Sequence, residues 1–421
     1  MSVLRYFARN SLIRLVVFGV GIVAAFLITP HILRCLGTDT YGTWALISAL
    51  LGYYLLLDCG MLQAVSQKSS AASAKNDPET VRRVFFTALC LGGAGCLLVL
   101  LAGATLAVFA DRFAVPAEVD ATTVAVSVFI FSAAAAVQIL FRSANGLLIG
   151  AMRWTFLACV SMLRTVCGSG AVLLLLSESL SPSENLLRLA LITSAQNSLE
   201  PLFLFIVARA SLPASPRLSP FSVAKARELI GFGLPILIGQ LGEVLRNRTQ
   251  IYIVASLLGP AQVALFSIAR QFISYMSDIM LNVFGILSPY FSRMQARGDD
   301  EGCRHSLLES LRLSYAVSCF IGLCLIQYGG LFLSRWLGPQ FFAAREVLTP
   351  LALAGIIGFG EFPASGFLIG LGRHHILAVF SIAQGVLITL FSIPAAWQYG
   401  LAGVAWTACA VTLFFSLCLV P

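Results

Sequence analysis

Apolar runs of about twenty residues recur along this sequence, near 11–33, 41–63, 84–110, 121–141, 155–176, 186–208, 229–257, 263–289, 307–331, 345–368, 375–396 and 401–420. A run of that length crosses the ~30 Å hydrocarbon core of a bilayer as a helix. Lipid offers the backbone no hydrogen-bond partners, so each run has to satisfy its own peptide groups and is expected to be helical. Twelve spans leave no room for a soluble domain. Composition agrees: 58% of the residues are hydrophobic and 11% charged, against roughly 45–50% and 25% in soluble domains. The fold class expected is therefore an all-α integral membrane protein with twelve transmembrane helices. The basic N-terminus leads into a run too long for a signal peptide, with no A-x-A-like cleavage site after it, and reads as the first span.

Orientation follows from lysine and arginine, which concentrate in cytoplasmic loops. With the N-terminus inside, 17 of the 27 fall on the cytoplasmic side and 5 on the other, and Arg164, Arg246, Arg248, Arg270 and Arg312 lie within spans. The net charge of +8 is thus mainly topology and carries no nucleic-acid footprint. Of the eleven cysteines, eight sit inside spans and read as small apolar fillers. No C-x-x-C pair or His/Cys cluster indicates a metal, and no cofactor is expected.

The seventh run, LIGFGLPILIGQLGEVLRNRTQIYIVASLLG at 229–259, is the unusual one. It carries Glu243, Arg246 and Arg248 near its middle, at ~3 kcal/mol of insertion cost each, so about 9 in all, against ~4–8 returned by its aliphatic residues. Gln240, Glu243, Asn247 and Gln250 share one helical face, with Arg246 at its edge. That stripe is expected to line water or a partner. Pro235, Gly239 and Gly242 place any kink or close helix approach in the first half of the run. The eighth run continues the theme, with Arg270, Ser274, Asp278 and Asn282 at i+4 intervals.

A repeat fixes the architecture. Leu36–Gly37 returns as Leu258–Gly259, Asp77, Glu79 and Arg82 as Asp299, Glu301 and Arg304, Arg112 as Arg335, and GLLIGAMR at 146–153 as GFLIGLGR at 366–373. The offset contains six helices, an even number, so both copies have the same orientation in the membrane. The expected domains are an N-terminal six-helix lobe (1–210), a cytoplasmic interlobe linker (211–228) rich in proline, serine and charge, and a C-terminal six-helix lobe (229–421). Asp77, followed by Pro78 and Glu79, reads as a helix N-cap. The sequence stops at Pro421, directly after the last run.

The segments RNSLIR (9–14), LRCLGTDTYGTWALISAL (33–50), LLLDCGMLQAV (55–65), VASLLGPAQVALFSIARQF (254–272) and PYFSRM (289–294) resemble the oligosaccharide (Wzx-type) flippases. Their superfamily, the multidrug/oligosaccharidyl-lipid/polysaccharide (MOP) exporters, also holds the multidrug and toxin extrusion (MATE) pumps and the lipid II flippase. The resemblance covers nearly the whole chain. It implies two pseudo-symmetric six-helix lobes around a central cavity and alternating access in the bacterial cytoplasmic membrane. The implied cargo is an undecaprenyl-pyrophosphate-linked oligosaccharide for polysaccharide biosynthesis such as that of O-antigen lipopolysaccharide, and the implied protein is not an enzyme. Implied partners are the polyprenyl-linked glycan, membrane lipids, a proton or sodium ion, a polysaccharide polymerase and a chain-length regulator.

Two readings of the intramembrane charges stand side by side. In one, Glu243–Arg246 and Arg270–Asp278 are neutralising pairs that fix packing. In the other, surplus cations at Arg246, Arg248 and Arg270 meet the pyrophosphate, joined by Arg164, Arg14 and Arg142 from the first half and by Gln240, Asn247 and Gln250. Arg14 and Arg142 lie near cytoplasmic ends, where snorkelling competes. Glu243, Asp278, Glu200, Glu361 and Asp58 are the candidates for carrying a coupling ion, with capping or structural roles as alternatives, Asp58 above all. Glu200 precedes Pro201, where a broken helix would suit an ion site. The rival functions are a drug/cation antiporter of the same superfamily, which needs an anionic pocket, and a membrane-embedded glycan polymerase, which needs a large extracytoplasmic loop.

Overall fold

The computed structural model describes residues 3–110, 116, 118–212, 221–285, 287, 290–291, 294, 300–370 and 374–419. Its helices are α1 (Val3–Tyr54), α2 (Met61–Ala74), α3 (Pro78–Val108), α4 (Ala121–Gly150), α5 (Trp154–Leu175), α6 (Pro182–Ser211), α7 (Val223–Asn247), α8 (Thr249–Leu258), α9 (Pro260–Phe284), α10 (Asp300–Leu337), α11 (Arg345–Gly360), α12 (Phe362–Gly370) and α13 (His374–Leu419). Short 3-10 turns stand at Leu55–Asp58 and Pro339–Ala344, and no strand occurs among the described residues.

Nine stretches of the described residues are long and apolar enough to cross a membrane. Leu15–Asp58 has 44 residues and Ile376–Ser416 has 41, each about twice what a bilayer needs. Both are broken at a glycine with positive φ, Gly37 (φ 75, ψ 169) and Gly400 (φ 60, ψ −141). Counting each as two gives eleven of the twelve expected spans. The other is α9, an unbroken helix whose Arg270, Gln271, Ser274 and Asp278 dilute its apolar character. Large apolar side chains such as Leu174, Phe320 and Trp397 stand fully outward, as on a surface that lipid covers.

The repeat is visible in the backbone. Gly259 (φ 89, ψ 172) has nearly the conformation of its counterpart Gly37. Neither glycine has another atom within 4 Å of where a Cβ would sit, so conformation rather than crowding requires glycine at both places. Asp77 caps α3 as its sequence suggests, accepting from the Thr80 amide at 3.0 Å with Pro78 in the first turn. The Thr80 hydrogen bonds hold the Asp77 carboxyl below its ordinary range. Its counterpart Asp299, like Arg112, lies outside the described residues.

The chain divides into two compact units, Met1–Leu237 and Ile238–Pro421. In the first, Met61, Val65, Phe85, Leu148, Leu204 and Leu229 bury one another where α2, α3, α4, α6 and the start of α7 meet. Val223 to Glu228, at the end of the stretch read as linker, already form the first turns of α7. There Glu228 pairs with Lys68 (2.6 Å) and Lys225 (2.9 Å). In the second unit α10 and α11 are stitched together by Ser318, whose hydroxyl donates to the Ile356 carbonyl at 2.8 Å, and Ser314, which donates to Phe359 at 3.1 Å.

One buried amide ties together the turn between α5 and α6 and the end of the first span. Asn185 is 0% exposed; its NH2 donates to the carbonyls of Ser177 (2.8 Å), Cys35 (3.1 Å) and Leu180 (3.3 Å), and its Oδ1 accepts from the Ser177 amide (3.2 Å). Replacing Asn185 by Leu keeps the volume and strands those groups, at about 1–3 kcal/mol for each one left unpaired. The detergent-solubilised variant should melt well below the parent. An unchanged melting temperature would show that these bonds carry little weight.

Candidate functional site

The site is built on a glycine contact in the second unit. A Cβ on Gly242 of α7 would stand 2.6 Å from the Ile382 amide nitrogen, and one on Gly385 of α13 would stand 2.9 Å from the Gly242 carbonyl. Only glycine lets two helix backbones approach so closely. One turn beyond Gly242, Arg246 therefore lands on α13, where its Nη1 donates to Gln384 Oε1 at 3.2 Å. Gln384 is buried, and its Nε2 donates in turn to Thr412 Oγ1 at 3.0 Å.

A second chain of bonds holds Arg270. From α9 its Nη1 donates to Gln250 Oε1 at 3.2 Å and its Nη2 to Asn247 Oδ1. Gln250 is 0% exposed and passes the contact on, with Nε2 donating to the Val404 carbonyl at 3.3 Å. Arg248 is exposed at the break where α7 ends and α8 begins. Arg246 and Arg248 are close enough to Arg270 to repel it. Among the described residues no carboxylate lies within ion-pair distance of any of the three arginines.

Neither packing pair expected from sequence forms as an ion pair. Arg246 reaches across to α13 while Glu243, near enough to act on it electrostatically, stays exposed on α7. The Arg270–Asp278 contact does not form either. A long side chain on a helix leans toward the helix N-terminus, which carries Arg270 toward Asn247 and Gln250 and away from Asp278, eight residues further on. Asp278 is exposed, and its carbonyl accepts from Asn282 at 2.8 Å. Gln240 is half-buried on α7. The interruption of the seventh span falls at Arg248, not in the half that holds Pro235.

In the first unit Arg142 and Arg164 are each paired with a carboxylate. Arg142 Nε meets the buried carboxylate of Asp58 at 3.0 Å, and Asp58 also accepts from the Leu62 amide at 3.3 Å, at the start of α2. Arg164 Nε lies 3.1 Å from Glu200, and its Nη1 donates to Asn197 at 3.5 Å. The expected break at Glu200 is absent, since α6 runs through Pro201 without interruption. Proline removes only the bond to the Asn197 carbonyl, a loss that a long packed helix absorbs. The Arg14 side chain lies outside the described residues.

Glu361 occupies the junction between α11 and α12, buried, with its carboxyl hydrogen-bonded to Ser416 and Tyr315. Sequence reading missed Gln384 and Thr412. The available signal was the Gln384–Gly385 step, a lone polar residue followed by a close-approach residue inside an apolar run. Among the described residues no group of His, Cys, Asp or Glu is arranged to hold a metal.

A family model described as polysaccharide biosynthesis protein matches residues 32–345. EpsK of Bacillus subtilis (strain 168), described as an uncharacterized membrane protein, is 22% identical over 403 residues, 94% of this chain and 79% of its own length. Among solved structures, an inward-facing multidrug resistance transporter of the MATE family in the MOP superfamily matches with a TM-score of 0.73 at 14% identity, covering 97% of each chain. A MOP-superfamily transporter from Pyrococcus furiosus, described as having a binding pocket of reverse polarity, matches with a TM-score of 0.63 at 14% identity, over 97% of this chain and 94% of its own. Identities this low establish a shared fold.

Proposed function

This chain belongs to the polysaccharide biosynthesis protein family and has the multi-pass fold of the MOP-superfamily transporters, and we propose that it carries an undecaprenyl-pyrophosphate-linked oligosaccharide across the bacterial cytoplasmic membrane by alternating access. In this reading Arg246, Arg248 and Arg270 receive the pyrophosphate. One observation carries it: the second unit holds three neighbouring arginines with no carboxylate in ion-pair distance among the described residues, whereas Arg142 and Arg164 of the first unit are each paired. An uncompensated charge inside a membrane is too costly to keep unless an anion or water meets it in use. A pyrophosphate supplies about two negative charges with oxygens suited to bidentate guanidinium contacts.

The antiporter reading needs the opposite polarity, an anionic site for a cationic drug. Coupling to a proton or sodium gradient falls in this scheme to carboxylates that form no arginine ion pair among the described residues, Glu361, Asp278 and Glu243, rather than to Asp58 and Glu200. Dissipating each gradient in turn during transport tests that assignment. The lysine and arginine asymmetry favours a cytoplasmic N-terminus, and labelling of a cysteine at Lys75 from outside intact cells would overturn it.

The function is tested in proteoliposomes holding a fluorescent pyrophosphate-linked glycan lipid, its monophosphate analogue and, separately, a cationic dye. Protein-dependent flipping of the pyrophosphate lipid, weaker for the monophosphate and inhibited by salt, is expected. Dye efflux without lipid flipping would establish the antiporter instead.

A further inference from the structure

Arginine is a donor only, and a buried guanidinium must find acceptors. In the first unit carboxylates meet the charge, Asp58 that of Arg142 and Glu200 that of Arg164, whose Nη1 also donates to the Asn197 amide. In the second the acceptors are side-chain amides, Gln384 for Arg246 and Gln250 with Asn247 for Arg270, which satisfy the N–H groups and leave the charge in place.

Each glutamine is also fixed in its orientation. Because Arg246 can only donate, Gln384 must present Oε1 to it, which turns Nε2 to Thr412 and makes that hydroxyl accept. The Gln250 amide is pinned from both ends, between the donor-only Arg270 and the acceptor-only carbonyl of Val404. Both relays end on α13 beyond its break at Gly400.

We propose that Gln384, held by Thr412, is a positioning residue of the anion site, setting the Arg246 guanidinium in place without pairing its charge. The proposal rests on the reading of Arg246 as a group that binds the pyrophosphate. Its content is that neutrality at position 384 is required, over and above hydrogen bonding.

The test is equilibrium binding of undecaprenyl pyrophosphate to the detergent-solubilised full chain over a series of salt concentrations. Gln384→Glu places a carboxylate against Arg246 without changing size. Its Kd is expected to rise about tenfold or more, with a shallower dependence on salt because one cation has been cancelled. In Gln384→Leu the guanidinium is released but stays charged, so affinity should fall while the salt slope holds. Thr412→Val should weaken binding several-fold, and Thr412→Ser, which restores the acceptor, should recover it. A residue that merely supports the fold would lower the yield of folded protein and leave Kd and salt slope alone. Tight, salt-sensitive binding by the parent with the same Kd and slope in Gln384→Glu overturns the proposal and spares the functional reading. Should Gln384→Glu not fold, equal binding by Thr412→Val and the parent overturns it instead. No binding by the parent at any salt concentration overturns both.

Discussion

Arg270→Ala is expected to lower transport per folded molecule by roughly ten- to a hundredfold. The change removes one charge-assisted bidentate contact, worth ~1.5–3 kcal/mol, from the proposed pyrophosphate site. Arg246→Ala should behave similarly, since both guanidinium groups belong to one cluster. Lysine at either position should rescue only part of the loss, because it keeps the charge and gives up the planar fork. The competing explanation is structural. Removing Arg270 strands the oxygens of Asn247 and Gln250, which lowers the amount of folded protein without touching the activity of what remains. Surface glycan normalised to membrane protein level separates the two. If that ratio stays at the parental value in both alanine variants, the arginines serve packing alone and the proposed function falls.

What could be read in the sequence, and what could not, divides along a physical line. The spans were legible because a membrane-length apolar run admits only one backbone solution, and the Leu36–Gly37 and Leu258–Gly259 pairs were legible because a positive φ with an extended ψ is open essentially to glycine alone. The cationic cluster was legible as composition, since Glu243, Arg246 and Arg248 are visible anomalies in an apolar run. Its partners were not. Arg246 meets Gln384 and Arg142 meets Asp58 across 138 and 84 residues of chain, between helices that are all apolar and carry no periodic code for their neighbours. The direction of Arg270 was missed for a local reason: sharing a face by i+4 counting says nothing of which way along the helix a long side chain leans.

The repeat sharpens the functional reading further. Shifting back by the interval that separates Gly259 from Gly37 sets Ala24, Ile28 and Ser48 against Arg246, Gln250 and Arg270. The two copies thus share the conformation of Gly37 and Gly259 but not these three side chains. Features needed for folding recur, and a feature present in only one copy is not required by the scaffold. This is the pattern expected of a site specialised within a symmetric fold.

Asp58→Ala is expected to cost the first unit about 3–5 kcal/mol of stability. The Asp58 carboxylate is buried against Arg142 Nε at 3.0 Å and also holds the first turn of α2 through the Leu62 amide. Removing it leaves an uncompensated guanidinium among apolar helices, and that penalty exceeds what the pair itself contributes. Against a total stability of ~5–15 kcal/mol, the membrane level of the variant should drop severely. Replacing both partners by leucine should be the milder change, since two like-sized apolar groups need no desolvation, and the difference between single and double variants measures the stranded charge. Asp58→Asn adds the decisive comparison for the ion-carrying alternative. A structural Asp58 predicts lower abundance with unaltered dependence of transport on the ion gradient. Normal abundance combined with loss of that dependence would make Asp58 the carrier and remove it from the scaffold.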